Sequence, residues 1–285
     1  MTERLANVST QIRHIQQLEA VVTALRSIAA SHAQQARSRL AGIEAYSAIV
    51  SRAIGQALPL LPSDYRPDGQ RPRQRIGLIL FCAEQGFAGA FSERILDAAG
   101  ADRAAAMAFL IGTRGLVIAR ERGLPPAWST PMASHADAVP ALANEIADAL
   151  YVRITSGALS TIQMIVPRST PAGTVRIDRH SLLPLDVARF AGASETAPPL
   201  TTLKPQDLIE RLTAEYIYAR LCEAAMHAYE AENQARMMTM TAARHNIEAR
   251  LAALTQRAQQ LRQEEITNEI VELAAGAEVL RHHRE

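Results

Sequence analysis

The sequence predicts an α/β fold in which a small Rossmann-like domain sits between two long terminal helices that pair as an antiparallel coiled coil. Three observations predict it. The stretch from Gln206 to Ala275 contains no glycine or proline, and that from Thr2 to Leu58 contains only Gly42 and Gly55. Within both, apolar residues recur at spacings of three and four, as a coiled-coil seam requires. Between them the period changes to short apolar runs bounded by glycine and proline, the pattern of buried strands alternating with helices.

The first helix carries Leu5, Val8, Ile12, Ile15, Leu18, Val22, Leu25 and Ala29 on one stripe, with an irregular step between Ile15 and Leu18. The stripe weakens through Ala33 and Ala36 to Leu40 and recovers at Ile43, Ile49 and Ile54. The last helix repeats the pattern from Leu208 through Met226, Met240, Leu251 and Leu254 to Leu261. The near-heptad period favours a left-handed supercoil. At ~1.5 Å per residue such helices reach on the order of 85 and 105 Å, more than a compact domain needs.

Pro59, Pro62, Pro67 and Pro72 end the first helix in a loop, because proline removes a helix donor and clashes with the preceding turn. Arg75–Cys82 then reads as a buried parallel strand, Ser92–Gly100 as a helix and Ala105–Ile111 as a second strand. Gly112–Gly115 turns the chain into a short helix ending near Gly123, and Asp137–Ser156 is a further helix. Thr161–Val166 and Thr174–Ser181 are strands joined by the loop PRSTPAG. The divisions expected are thus a first coiled-coil helix over 1–58, an α/β domain over 74–183, a last coiled-coil helix over 206–280 and a polar tail over 281–285.

Of the 285 residues 48% are apolar, so a core can be buried, while only 4% are aromatic. A formal charge of +1 gives no basic field for nucleic acid. Lys204 is the only lysine. Two cysteines, Cys82 and Cys222, make neither a disulfide framework nor a metal spacing, which points to a reducing compartment. The polar start MTERLANVSTQ does not read as a signal peptide. The run at Ile76–Ala83 is too short to cross a bilayer, so no direct membrane insertion is expected.

A search for chemistry finds no assembled site. Gly86, Gly89, Gly112 and Gly115 follow strand candidates, yet GFAGAF and GTRG fit neither G-x-G-x-x-G nor a P-loop. They read as tight turns. Cys82 in a strand reads as a buried thiol, His282 and His283 as a solvated tail, and Glu264, Glu265, Glu269 and Glu272 as a solvated helix face. No catalytic residue, cofactor or metal is expected. The remaining explanation for the long helices is mechanical or connective, with a coiled-coil adaptor or helical dimerisation arms on an α/β enzyme among the roles such helices can serve.

Five segments narrow this. AENQARMMTMTAARHN (231–246), RQEEITNEIVELAAGAEV (262–279), ALRSIAASHAQQAR (24–37), QGFAGAFS (85–92) and IGTRG (111–115) stand in the order and spacing of the gamma subunits of F-type ATP synthases, which the whole chain resembles. The resemblance implies a central rotor stalk, an asymmetric axle inside a ring of three α and three β subunits. Its α/β domain would grip the epsilon subunit and the membrane c-ring. Rotation would couple proton or sodium flow to ATP synthesis or hydrolysis in the β subunits, at the cytoplasmic face of a bacterial inner membrane. It also implies that Arg262, Gln263 and Thr267 contact a β-subunit loop, with Arg262 partnering a carboxylate. Arg236, with Gln234 nearby, falls in a segment where coiled-coil and ring contacts overlap. Arg26 and His32 would face an acidic lever of a β subunit.

The chain also departs from the family. The segment N-T-x-K-I-T-K-A-M is replaced by Gln17–Leu25 without its lysines, and T-D-R-G-L-C-G by Ala83–Gly89. Both mark a divergent bacterial branch. Arg281–Glu285 extend past the usual end, and burying those charges unpaired would cost several kcal/mol. The tail is therefore expected to emerge at the top of the ring.

Overall fold

The computed structural model describes residues 2–62, 75–100, 106–186, 190 and 200–282. Pro67 and Pro72 of the predicted loop, Ala105 of the second strand and the end of the tail, 283–285, lie outside the described residues. The chain divides into two compact units, one made of Met1–Ser27 with Met238–Glu285, the other of Ile28–Met237. Helices α1 (Thr2–Ala57) and α5 (Pro205–His282) contribute residues to both. Pro205 stands at the first position of α5, where the missing N–H would be unsatisfied in any case.

In the first unit a half-buried stripe of α1 runs through Leu5, Val8, Ile12, Ile15, Glu19 and Val22, with Thr23, Leu25 and Arg26 half-buried after it. The facing stripe of α5 runs at steps of three and four through Met240, Ala243, Ile247, Leu251, Leu254, Ala258 and Leu261, of which Met240, Leu254 and Leu261 are buried and the rest half-buried. One expectation is corrected here. Leu18 is 55% exposed and the seam passes instead through Glu19, so the step after Ile15 is four and the alternation stays regular. Leu18 and Val21, also 55% exposed, lie outside the seam as an apolar patch. Beyond Glu265, every position of α5 to Ala274 is exposed, because this arm is far longer than the α1 segment paired with it.

The second unit is a five-stranded sheet in the order β3-β2-β1-β4-β5. It comprises β1 (Arg75–Phe81), β2 (Met107–Ile111), β3 (Trp128–Thr130), β4 (Leu159–Ser169) and β5 (Val175–Leu183). The first four are parallel and β5 is antiparallel to β4. Side chains alternate across it. Leu78, Leu80 and Leu110 pack on α2 (Phe91–Ala98) and α3 (Thr113–Glu121). Ile79, Phe81, Phe109 and Met164 face α4 (Val139–Thr155) and the middle of α5. Full burial of a side chain such as Phe109 contributes about 2–3 kcal/mol. Helix α1 reaches this core through Ala36, with Leu40 and Ile43 packed against it, and Ala29 and Ala33 on the same helix are also buried.

Two strands differ from expectation. Trp128–Thr130 forms a strand where the sequence assigns no element, since WST is too short and too polar to show a period; three bonded positions beside β2 suffice to order it. Strand β4 runs on through Pro167 and Arg168 to Ser169, so the first three residues of PRSTPAG are strand. Pro167 pairs only with Ile177, because β1 ends opposite Ile165 and makes no demand on the missing N–H. The turn proper is Thr170–Thr174, closed by the Thr170 N–H donating to the Thr174 carbonyl at 2.8 Å.

Candidate functional site

The residues with the most to explain are the polar ones that α5 buries against the second unit. Glu223, Glu230, Glu232, Asn233 and Gln234 are each no more than 7% exposed. A buried charge is tolerated only when paired and hydrogen-bonded. Glu223, Glu230, Glu232 and Gln234 each have a partner outside α5, while Asn233 bonds within it, donating to the Tyr229 carbonyl at 2.9 Å. Arg168 of β4 donates to Glu223 at 2.9 Å and Arg220 to the same carboxylate at 2.6 Å. Arg37 of α1 donates from Nε to Glu230 at 2.8 Å and from its terminal nitrogen to Gln234 at 2.9 Å. These contacts fix α1 and α5 antiparallel here, since Glu44 further along α1 lies 3.5 Å from His227, earlier on α5.

Glu232 differs in binding main chain. Its two oxygens accept the N–H groups of Glu84 at 3.1 Å and Gln85 at 3.3 Å, just after β1. Arg236 pairs with the same carboxylate, donates to Asn233 at 3.0 Å and to the Gly86 carbonyl at 3.2 Å. Glu84 extends the connection. Its side chain accepts from the Thr113 N–H at 2.9 Å, the Thr113 hydroxyl at 2.7 Å and the Met132 N–H at 2.7 Å.

The IGTRG turn is shaped for close approach. Gly112 has φ of 108°, and a Cβ there would lie 2.5 Å from the Cys82 carbonyl oxygen. A Cβ at Gly115 would fall 2.1 Å from Cys82 Cβ. Together the two glycines let α3 lie directly on the end of β1.

Burial and neighbouring charges set the ionisation. Burial, with Glu232 and Glu93 adding, pushes the Cys82 thiol well above its ordinary range, so it is an inert core group. Burial pushes Glu232 up, against the pull of Arg236 and the backbone N–H groups of Glu84 and Gln85. Glu223 is pushed up by burial but more than compensated by Arg220 and Arg168, and ends below its usual value. His227 falls to about 4, through burial and then Arg168, and is neutral near pH 7. Among the described residues no cluster of histidine, cysteine and carboxylates could hold a metal ion.

The predicted contact residues fall in different settings. Arg262, Gln263 and Thr267 are all exposed on the part of α5 in the first unit, and Arg26 on α1 is half-buried. The Thr267 hydroxyl donates to the Gln263 carbonyl at 2.8 Å, so its hydrogen is already used within the helix. Arg262 has no ion-pair partner among the described residues. Arg236 is only 11% exposed and held by the bonds above, and Gln234 is buried against Arg37. His32 packs on Tyr229 with ring centroids 5.9 Å apart. Sequence reasoning missed Glu84, Glu223, Glu230 and Glu232. The one available signal was that carboxylates interrupt the apolar and alanine run of 221–235.

Comparison with known proteins gives one answer. A family model described as ATP synthase matches residues 4–280. An ATP synthase gamma chain of Parafrankia sp. is 25% identical over 300 residues, covering 98% of this chain and 99% of that one. The gamma chain of Beutenbergia cavernae is 28% identical over 291 residues, covering 95% and 96%. Among solved structures, a chain from the Euglena gracilis mitochondrial ATP synthase (OSCP/F1/c-ring, rotational state 3) superposes with a TM-score of 0.67 at 10% identity, covering 100% of this chain and 97% of that one. One from the rotor of the same enzyme gives 0.64 at 11% identity, covering 93% and 100%.

Proposed function

The chain belongs to the ATP synthase family, as a gamma subunit of the F-type central rotor stalk, and from that premise we propose how its parts divide the work. The two paired helical arms, within 1–58 and 206–280, form an axle inside a ring of three α and three β subunits. The α/β part, 74–183, binds the epsilon subunit and the membrane c-ring. Rotation driven by ion flow through that ring carries each β catalytic site through its states in turn, and hydrolysis drives the reverse. The end-to-end correspondence with gamma chains carries this reading; a non-rotary adaptor has no support from it.

An axle can bias three identical neighbours only if it offers them different contacts, because a ligand shifts an equilibrium only through differential affinity. Around the first unit the exposed surface is uneven. Leu18 and Val21 form an apolar patch on α1, while Arg262, Gln263 and Thr267 form a polar patch on α5. We assign the polar patch to a β-subunit loop, with Arg262 donating to a carboxylate, and Arg26 to an acidic β segment. Arg236 contributes by holding its neighbours in place. At the far end Ile266, Ile270 and Leu273 share one helix face and are 51–74% exposed, which suits an apolar bearing at the top of the ring.

The family's enzyme is membrane-associated, and no described helix is long and apolar enough to cross a membrane. We place the chain at the cytoplasmic face of a bacterial inner membrane, held there by its partners. The test is expression with a tag on this chain. Co-purification of α and β subunits with ATPase activity is the expected result; recovery of this chain without them would reject the assignment.

A further inference from the structure

Apolar packing holds α5 against the sheet, but such contacts are non-directional and resist sliding or turning poorly. Hydrogen bonds weaken steeply with angle, so a set of them fixes orientation. One such set joins α5 to the sheet at the carboxyl end of β1. Glu232 and Arg236, one turn apart, bind the main chain of three consecutive residues, Glu84, Gln85 and Gly86. The residue whose N–H is held in this way then holds two further loops. Through Glu84, the helix start after β2 at Thr113 and the loop after β3 at Met132 are tied to the same point. The backbone reinforces the tie, since the Gly115 N–H donates to the Ala83 carbonyl at 3.1 Å and the Arg114 N–H to the Glu84 carbonyl at 3.2 Å. Strand β4 is reached separately, through Arg168 and Glu223.

We propose that Glu232 and Glu84 form a two-carboxylate joint that makes α5 and the β1–β2–β3 half of the sheet turn as one body. On the rotor-stalk reading, which this inference rests on, both are positioning residues for torque transfer. They touch no nucleotide and act by keeping the helix from slipping on the sheet. Loss of the joint uncouples motion at the sheet from motion at α5 while leaving the catalytic subunits intact.

The experiment uses the assembled, membrane-reconstituted complex with Glu232→Gln, Thr113→Val and Thr113→Ser. Two quantities are read: amide hydrogen exchange at Glu84, Gln85, Thr113 and Met132, and ions pumped per ATP hydrolysed. Glu232→Gln is expected to speed exchange by about tenfold at all four amides, the scale of one lost charge-assisted hydrogen bond. It is also expected to lower ions pumped per ATP several-fold while hydrolysis persists. Thr113→Val should move exchange at Met132 and the pumping ratio in the same direction by less, and Thr113→Ser should restore both. Faster exchange confined to residues 84 and 85, or an unchanged pumping ratio, overturns the joint. If Glu232→Gln fails to assemble, Thr113→Val decides by the same two readings. Failure of the unmodified chain to assemble with α and β subunits would instead reject the rotor assignment itself.

Discussion

Gly115 measures how tightly the second unit is built. Its added Cβ would lie 2.1 Å from Cys82 Cβ, a backbone-fixed atom that cannot rotate away. Gly115→Ala should therefore destabilise the sheet unit by about 2–4 kcal/mol, at or above the usual cost of overpacking. Trp128, the only tryptophan, lies 6.0 Å from Phe109 and reports this directly as a lower urea midpoint in its fluorescence. His227 gives a pH dependence of known sign. Its folded pKa of about 4 lies below the ordinary 6.5, so between these values the unfolded chain binds more protons. Stability is full above pH 6.5 and falls as pH drops from there toward 4. His227→Gln should flatten that part of the pH profile of the Trp128 midpoint; an unchanged slope would show that other groups set it.

At the scale of elements, the pairing of α1 with α5 in the second unit depends on polar as well as apolar contacts. Arg37 is half-exposed, whereas Glu230 is almost fully buried and Gln234 nearly so. Arg37→Ala leaves two buried acceptors without their donor and should cost about 1–3 kcal/mol, toward the lower end because water can enter where the guanidinium was. A double-mutant cycle with Glu230→Ala isolates the pair term; coupling near zero would assign the cost to lost packing of the Arg37 stem. The alanines at 29, 33 and 36 explain why this pairing has room for salt bridges at its edge. Small side chains bring the backbones together, and the long polar side chains then reach across.

For the whole molecule, the separation of folding residues from contact residues is testable. Arg262 and Gln263 are exposed on α5, so their replacement by alanine should change stability by no more than about 0.5 kcal/mol. In the assembled complex the same change should lower ATPase turnover. Unchanged turnover and unchanged ion pumping would remove both residues from the proposed contact. Arg236 should behave oppositely, since it is held against Glu232, Asn233 and Gly86: its loss should disturb the folded chain before any partner is added.

Helix lengths, the order of strands and helices, and the seam of α5 were legible in the sequence because each rests on local periodicity and on proline or glycine breaks. The gamma-subunit resemblance was legible because its motifs keep their order along the chain. The passage of the seam through Glu19 rather than Leu18 was not, since two adjacent residues satisfy a near-heptad pattern equally and only packing chooses between them. Nor were β3, which has too few residues to carry a period, or the roles of Glu84, Glu223, Glu230 and Glu232. In sequence a carboxylate on a helix reads as solvated; whether it is buried, and which N–H or guanidinium answers it, depends on elements as far apart as residues 84 and 232. The sequence by itself determined where the chain forms helix and strand and which family it resembles. Tertiary structure alone decided which charges are internal fastenings and which remain on the surface for partners, because desolvation and long-range pairing arise only once distant segments meet.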